Sequence, residues 1–445
     1  MISTIDLRGS RPSPLELRHL VPRARVDVSS ASEQAAQIID DVRERGVEAL
    51  KDQAEKFDGV RPAQIRVAPE EIERAVVKLK PAVRAALEES IRRVRAVSVA
   101  AVPVPISTEL GAGAIVAHRW RAMERVGLYV PGGKAVYPSS VVMNAVPALV
   151  AGVRSIAIAS PPQEDFGGSV HPVILAAAGI LGIDEVYAMG GPGAVGAFAY
   201  GVPELELEPV NLITGPGNVW VAAAKRLVRS VVGIDAEAGP TEILVIADDS
   251  ADPVLVAADL VSQAEHDELA AALLVTDSES FANRVNAELG LLVESARKGK
   301  RVRAAINGQQ SAIVLVDSLA QAAEFSNAYG PEHLEIQVRD GDALLELIES
   351  AGAIFMGPDA PVSLGDYLAG SNHVLPTGGQ ARFGSGLGVH TFLRPQQVVR
   401  YDHGALDAVS GHIQALATAE DLPAHSEAVA ARFRDRSAGA SPPVS

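Results

Sequence analysis

The residue types best suited to acid–base or metal chemistry lie in the second half of the chain, where seven of the ten histidines fall between residues 266 and 425. Gln263 and His266 stand three residues apart in a stretch predicted to be helical, so both would face one side of that helix. A glutamine oxygen and an imidazole nitrogen can both ligate a borderline metal ion. The alternative is a polar pair at a surface or helix end, because such residues mark sites only in some cases.

Glu332 and His333 are adjacent and follow Tyr329-Gly-Pro at a predicted loop or strand entry. A neighbouring carboxylate and imidazole can act as general acid and base, since an imidazole titrates near neutrality. A solvated turn is the alternative. The remaining candidates stand further along the chain: Asp366 and His373 in a glycine-interrupted loop, and Glu420 and His425 in a late helix, where a lone histidine is usually structural.

Three glycine-rich turns follow predicted strands. Residues 191–196 match G-x-G-x-x-G and open a predicted helix, which is the context of a dinucleotide-binding turn. No acidic residue follows at the end of a second strand about 20 residues later, so an ordinary tight turn is the alternative. Gly215–Asn218 and Gly132-Gly133 are the other two turns. Three such turns on one sheet suit a ligand that lies along the carboxyl ends of the strands.

The composition excludes several classes of chemistry. The chain has 445 residues, 48% of them hydrophobic, a net charge of −16 and no cysteine. Disulfides, thiolate metal sites, iron–sulfur clusters and a cysteine nucleophile are therefore excluded. The acidic balance argues against nucleic acid or an anionic membrane as a partner. Without a visible signal peptide or membrane span, we expect a cytoplasmic protein.

Alternating helices and strands must position these residues. Residues 1–25 are predicted to form an irregular arm, and residues 29–57 and 69–98 two helical pairs broken at Gly46 and Pro81. Beyond about residue 125, helical stretches alternate with short apolar runs at 126–130, 155–160, 185–189, 211–215, 242–248, 271–277 and 312–317. Such alternation predicts an α/β fold with parallel sheets.

Eight segments spread over most of the chain can be compared with known families. They are ERVGLYVPGGKA (124–135), PSSVVMNAVPA (138–148), GPGNVWVAAAKR (215–226), AGPTEILVIAD (238–248), SQAEHD (262–267), NAYGPEHLEI (327–336), SLGDYLAGSNHVLPT (363–377) and AEDLPAH (419–425). In this order they resemble the histidinol dehydrogenase family. Each segment is weakly diagnostic alone, and the combination is highly specific.

The resemblance implies a role for each candidate residue. It implies one zinc ion per subunit, held by Gln263, His266, Asp366 and His425. In this family the last of these ligands comes from the other subunit of a homodimer. Glu332 and His333 match the catalytic pair, and Tyr129 and Asn218 match contacts to NAD. The substrate side comprises the four zinc ligands together with Thr241, His333, His373 and Glu420.

One position departs from the family pattern. The family usually reads GGAQA where this chain has GGPGA at 190–194, so Gly193 replaces a glutamine that contacts NAD. This difference affects a residue expected to contact NAD, and the metal-binding and catalytic positions are unchanged.

The reaction implied is the oxidation of L-histidinol to L-histidine through L-histidinaldehyde, the last step of histidine biosynthesis, with two NAD+ reduced in turn. Because the chain has no cysteine, the aldehyde must be hydrated directly, with His333 as the general base and Glu332 activating water. Three alternatives remain: a zinc hydrolase, a dehydrogenase of another amino alcohol, and a catalytically silent binding protein.

The resemblance also implies the domain organisation. We expect two incomplete Rossmann-like domains, an N-terminal arm and a small helical C-terminal domain. The boundaries are 1–25 for the arm, 26–124 plus 243–376 for the domain with metal and catalytic residues, 125–242 for the NAD-binding domain, and 377–445 for the dimerisation segment with a disordered tail.

Overall fold

The computed structural model describes residues 2–24, 28–132, 136–237 and 239–434. Its helices are α1 (Pro14–Leu20), α2 (Val28–Arg45), α3 (Val47–Asp58), α4 (Pro69–Lys78), α5 (Pro81–Ala100), α6 (Pro138–Ala151), α7 (Pro172–Ile180), α8 (Gly191–Tyr200), α9 (Val219–Val228), α10 (Pro253–Ala264), α11 (Glu279–Ser295), α12 (Gly299–Ile306), α13 (Leu319–Tyr329), α14 (Gly341–Leu345), α15 (Val362–Tyr367), α16 (His403–Ala419) and α17 (Pro423–Ala430).

The strands are β1 (Ser3–Asp6), β2 (Ile106–Gly111), β3 (Ala114–Ala122), β4 (Arg125–Tyr129), β5 (Ser155–Ser160), β6 (Val186–Ala188), β7 (Leu212–Thr214), β8 (Gly233–Ile234), β9 (Glu242–Ala247), β10 (Ala271–Thr276), β11 (Ala312–Leu315), β12 (His333–Gln337), β13 (Ala353–Met356) and β14 (Leu393–Tyr401). The described residues fall into two compact units, those of Met1–Val102 with Ala122–Phe392 and those of Pro103–Arg121 with Leu393–Ser445.

The first unit contains two parallel sheets. One has six strands in the order β1-β11-β10-β9-β12-β13, and the other has five in the order β6-β5-β4-β7-β8. The central strands are buried on both faces, as their near-continuous apolar sequences predict. The α/β prediction with Rossmann-like parallel sheets is confirmed. All strands of the five-stranded sheet lie within residues 125–242, whereas α2–α5, which are predicted to belong with the other sheet, pack against α6–α9. The domain boundaries at residues 125 and 242 stay a prediction.

The N-terminal residues differ from the predicted irregular arm. β1 pairs with β11 along its whole length, and α1 begins at Pro14 behind a capping box formed by Ser13 and Glu16. The prediction of irregular structure was wrong because the pairing of β1 with β11 joins residues about three hundred positions apart. The two helical pairs are confirmed: α2 and α3 separate at Gly46, whose φ is +54°, and α5 begins at Pro81.

The second unit contains a three-stranded sheet in the order β14-β3-β2, with β2 and β3 antiparallel, together with α16 and α17. The sequence predicts a helical C-terminal domain, and the sheet of this unit corrects that prediction. The sequence does not reveal it because β2 and β3 lie nearly 300 residues before β14. The predicted disordered tail, residues 436–445, lies outside the described residues.

Within the described part of the chain, no helix combines the length and the apolar character needed to cross a membrane.

Candidate active site

A cavity of about 700 Å³ lies in the first unit, between the edges of its two sheets. The five-stranded sheet contributes the carboxyl ends of its strands, through Tyr129, the last residue of β4, and Gly215, which follows β7. The six-stranded sheet contributes amino ends, through Thr241 before β9 and Glu332 before β12. The volume is within the range of about 300–1,000 Å³ typical of small-molecule sites. Candidates far apart in sequence therefore meet at one cavity.

Glu332 and His333 stand where β12 begins, as the sequence predicts, and both are buried. The Nδ1 atom of His333 lies 3.0 Å from the backbone oxygen of Glu242. A carbonyl oxygen only accepts hydrogen bonds, so Nδ1 carries the hydrogen and Nε2 is the basic atom of the neutral ring. Burial lowers the pKa of His333, which keeps that ring neutral and able to accept a proton.

The pKa of Glu332 is shifted in the direction opposite to that of His333. Burial raises its pKa to about 8, and the nearby charge of Asp366 adds to this shift. Its Oε2 accepts hydrogen bonds from the Thr241 hydroxyl at 2.5 Å and the Glu242 backbone N–H at 2.8 Å, which oppose the shift. The carboxyl group is therefore held in a fixed position with a proton affinity close to that of a neutral-pH general base.

Thr241 connects Glu332 to the predicted metal ligand Gln263. The Thr241 hydroxyl accepts a hydrogen bond from Gln263 Nε2 at 2.5 Å and donates its own to Glu332. Gln263 is buried in the last turn of α10, although it is not in the cavity wall. Because its amide nitrogen is committed to Thr241, its carbonyl oxygen is the donor suited to a metal ion.

His266, Asp366 and His373 approach one another at the cavity. His266 was predicted to lie in a helix, but α10 ends at Ala264 and His266 lies in the turn that follows. Asp366 was predicted to lie in a loop, but it lies in the short helix α15. His373 already has two protein partners, the Asp366 backbone oxygen at 3.1 Å from Nδ1 and the Ser140 hydroxyl at 3.1 Å from Nε2. His373 thus holds the backbone that carries Asp366.

The donor set agrees with a zinc ion only in part. His266 Nε2 and Asp366 Oδ2 are 3.8 Å apart, close to the separation of about 3.4 Å expected of two ligands on one tetrahedral zinc. Burial lowers the pKa of His266, which favours the neutral ring that a metal needs. Across the described residues, however, no group of three or more His, Asp or Glu side chains could hold a metal ion.

Glu420 and His425 belong to the second unit. His425 lies in α17, as predicted, whereas Glu420, predicted in the same helix, immediately follows α16 and is separated from α17, which begins at Pro423. Both side chains are exposed in the single chain. The candidates that the structure brings together at one cavity are those of the first unit.

The predicted cofactor residues belong to the five-stranded sheet and to the helices that follow its strands: Tyr129 ends β4, Gly193 lies in α8 and Asn218 precedes α9. The buried Tyr129 hydroxyl accepts a hydrogen bond from the Gly191 N–H at 3.3 Å, at the first residue of α8. Asn218 caps α9 by accepting from Trp220 and Val221, and it also lines the cavity. Gly193 does not line the cavity, although Gly191 does. Of the third turn, Gly132 lines the cavity and Gly133 lies outside the described residues.

A buried ion pair, not anticipated from the sequence, holds the Gly215 turn. Lys225 Nζ lies 2.5 Å from both the Gly215 oxygen and Asp235 Oδ1, and Asp235 Oδ2 accepts the Gly215 N–H at 2.8 Å. Gly215 has a φ of +117°, and a Cβ there would lie 2.0 Å from the Tyr129 oxygen. A lysine in the apolar sequence of α9 was the available signal.

Glu242 was also missed. Its backbone contacts both Glu332 and His333, and its buried carboxyl group pairs with Arg23 at 2.5 Å. Burial raises the pKa of Glu242 to about 7. An acidic residue at the start of an otherwise apolar strand was the sequence signal.

These features define the class: an α/β enzyme whose cavity joins glycine-rich turns of one parallel sheet to a buried glutamate–histidine pair on another. The histidinol dehydrogenase family model matches residues 21–433. A histidinol dehydrogenase from Leifsonia xyli subsp. xyli is 66% identical over 435 residues, covering 98% of this chain and all of the relative. One from Thermobifida fusca is 56% identical, covering 97% and 98%. This chain belongs to the histidinol dehydrogenase family and is an oxidoreductase.

A solved structure supports the same assignment. The crystal structure of histidinol dehydrogenase from Elizabethkingia anophelis matches with a TM-score of 0.91 at 31% identity, covering 97% of this chain and 98% of that one.

Proposed function

We propose that this protein oxidises L-histidinol to L-histidine through L-histidinaldehyde, the last step of histidine biosynthesis, with NAD+ as the oxidant. The observation that carries the proposal is the pair Glu332 and His333, whose pKa values burial shifts in opposite directions at one cavity wall. Opposite shifts in neighbouring groups separate two proton-transfer roles. A four-electron oxidation needs two such roles.

The first step removes a proton from the alcohol oxygen and a hydride from its carbon. His333 Nε2 accepts the proton, because Nδ1 is committed to the Glu242 oxygen and the ring is neutral. NAD+ supplies the two-electron acceptor and is used twice. Tyr129 and Asn218 line the part of the cavity where it would bind.

The second step adds water to the aldehyde. The chain has no cysteine, so no thiohemiacetal can form. Glu332, held by Thr241 and the Glu242 N–H, takes a proton from the water that attacks the aldehyde carbon. As the water adds, the protonated His333 returns its proton to the aldehyde oxygen and becomes neutral. The hydrated aldehyde then loses its hydride, and His333 accepts a hydroxyl proton as the base a second time.

We further propose that Gln263, His266, Asp366 and His425 hold one zinc ion per subunit. Bound zinc supplies a template that orients the substrate. His425 and Glu420 are exposed on the second unit, which supports their contribution to the site of a partner subunit in a homodimer. Thr241 and His373 complete the substrate side of the cavity. The cytoplasmic location stays a prediction.

Two variants assayed on the separate half-reactions test the assignment of roles. His333→Asn should lose both oxidations while retaining zinc. Glu332→Gln should slow the oxidation of L-histidinaldehyde more than that of L-histidinol, because only the former needs activated water. Removal of a general base costs about 10²- to 10⁴-fold. Wild-type turnover by His333→Asn, or equal losses in both half-reactions for Glu332→Gln, would contradict the roles.

A further inference from the structure

The side chain of Gln53, on α3, reaches the cavity wall in an unusual state. Its Nε2 atom is buried and has no hydrogen-bond partner among the described residues. A buried amide N–H group is normally hydrogen-bonded, because an unpaired one costs free energy. An unpaired N–H group at a cavity wall can therefore donate to a ligand bound in the cavity. The cavity is the place from which that acceptor can come.

Gly193 is the residue that makes room for this amide. Gln53 Oε1 lies so close to Gly193, in the first turn of α8, that a Cβ at that glycine would stand 2.0 Å from it. A Cβ would also lie 3.2 Å from Leu50 Cδ2. Gly193 itself does not line the cavity, whereas Gln53 does. Any side chain at position 193 must therefore displace Gln53.

We infer that Gln53 donates a hydrogen bond from Nε2 to an oxygen of the bound dinucleotide. Gly193 affects cofactor binding only because its lack of a side chain leaves space for the Gln53 side chain. The inference rests on the proposed function, which places NAD on this side of the cavity. Gln53 lines the cavity together with Asp58, Tyr129 and Gly191, and its helix α3 packs against α8, which follows a strand of the five-stranded sheet.

The test is NAD+ binding by isothermal titration without substrate, compared among wild type, Gln53→Ala, Gln53→Met, Gly193→Ala and the double variant Gln53→Ala/Gly193→Ala. Gln64→Ala is the matched control, since Gln64 is exposed and outside this cavity. Circular dichroism and thermal melts establish that each variant is folded.

We expect Gln53→Ala and Gln53→Met to raise the Kd for NAD+ by about 3- to 10-fold, the worth of one hydrogen bond. Gly193→Ala should raise it similarly, because the new methyl group displaces the amide. The double variant should bind no worse than Gln53→Ala, since the two residues act through one contact. Gln64→Ala should match the wild type.

Two results would overturn the inference. Wild-type affinity in Gln53→Ala and Gln53→Met would remove Gln53 from the cofactor site while leaving the proposed function intact. Additive losses in the double variant would show that Gly193 acts independently of Gln53. Absence of NAD+ binding by the wild type would instead contradict the proposed function, and the inference with it.

Discussion

Replacing Lys225 by methionine removes the cation from the buried pair that holds the Gly215 turn. The side chains of Lys225 and Asp235 are 2% and 5% exposed, so the remaining carboxylate would be left in a site that water does not reach. Breaking a buried pair by removing one partner costs about 3–5 kcal/mol. Asp235 retains the Gly215 N–H at 2.8 Å and the Ala236 N–H at 2.7 Å, which places the expected loss near the lower figure.

Urea denaturation measures this loss directly. The free energy of unfolding of Lys225→Met should fall by about 3 kcal/mol. Arg226→Met is the matched control: its pair with Glu237 is 55% and 20% exposed, so its loss should be within about 1 kcal/mol. The double variant Lys225→Met/Asp235→Asn should recover most of the stability, because it removes the unpaired charge and keeps an acceptor for the Gly215 N–H.

Lys225→Met should also weaken NAD+ binding, because the Gly215 turn lines the cavity and Lys225 donates a hydrogen bond to the backbone oxygen of Gly215. A loss of stability no larger than that of Arg226→Met would refute the assignment of Lys225 as a buried charge partner. A double variant as unstable as Lys225→Met would show that packing, and not charge, carries the effect.

Three further outcomes are expected. The raised pKa of Glu332, about 8, means that its carboxyl group is protonated at neutral pH and must lose that proton to act as a base. We therefore expect kcat/KM for L-histidinaldehyde to increase about tenfold for each unit of pH up to about 8 and to level off above it, and we expect Glu332→Gln to abolish this dependence in a pH profile. Gly215→Ala should cost about 2 kcal/mol or more in urea denaturation, because its φ is +117° and the Cβ would overlap the Tyr129 oxygen, whereas Gly290→Ala, in open space on α11, should gain up to about 1 kcal/mol. Asp366→Ala should lower the bound zinc per subunit, measured by mass spectrometry, about tenfold or more, because loss of a group that only supports a ligand already costs about 10- to 100-fold in metal affinity. Unchanged zinc content would contradict the place of Asp366 in the donor set.

Sequence patterns predicted the elements whose periodicity is local. The apolar runs at 155–160 and 242–248 became β5 and β9 because each is buried on both faces. The break at Gly46 and the start of α5 at Pro81 follow from backbone chemistry that one residue determines. Adjacency in sequence also placed Glu332 and His333 together at the entry to β12.

Features that depend on distant parts of the chain were not predictable in this way. Strand β1 exists because it pairs with β11, and the environment of Lys225 depends on how the Asp235 segment folds back. His266 lies beyond the end of α10, since helix ends are set by local capping that periodicity does not register. The contact between Gln53 and Gly193 joins α3 to α8 and leaves no pattern in either helix.

The central claim, that this cavity carries out both oxidations with NAD+ as acceptor, is tested most directly by the stoichiometry of the reaction. Zinc-loaded protein is mixed with L-histidinol and NAD+, NADH is followed by absorbance, and L-histidine is quantified by chromatography. We expect two NADH for each L-histidine, and we expect a chelator to abolish the formation of both products. One NADH per turnover with accumulation of the aldehyde, or no NADH from folded, zinc-loaded protein, would contradict it.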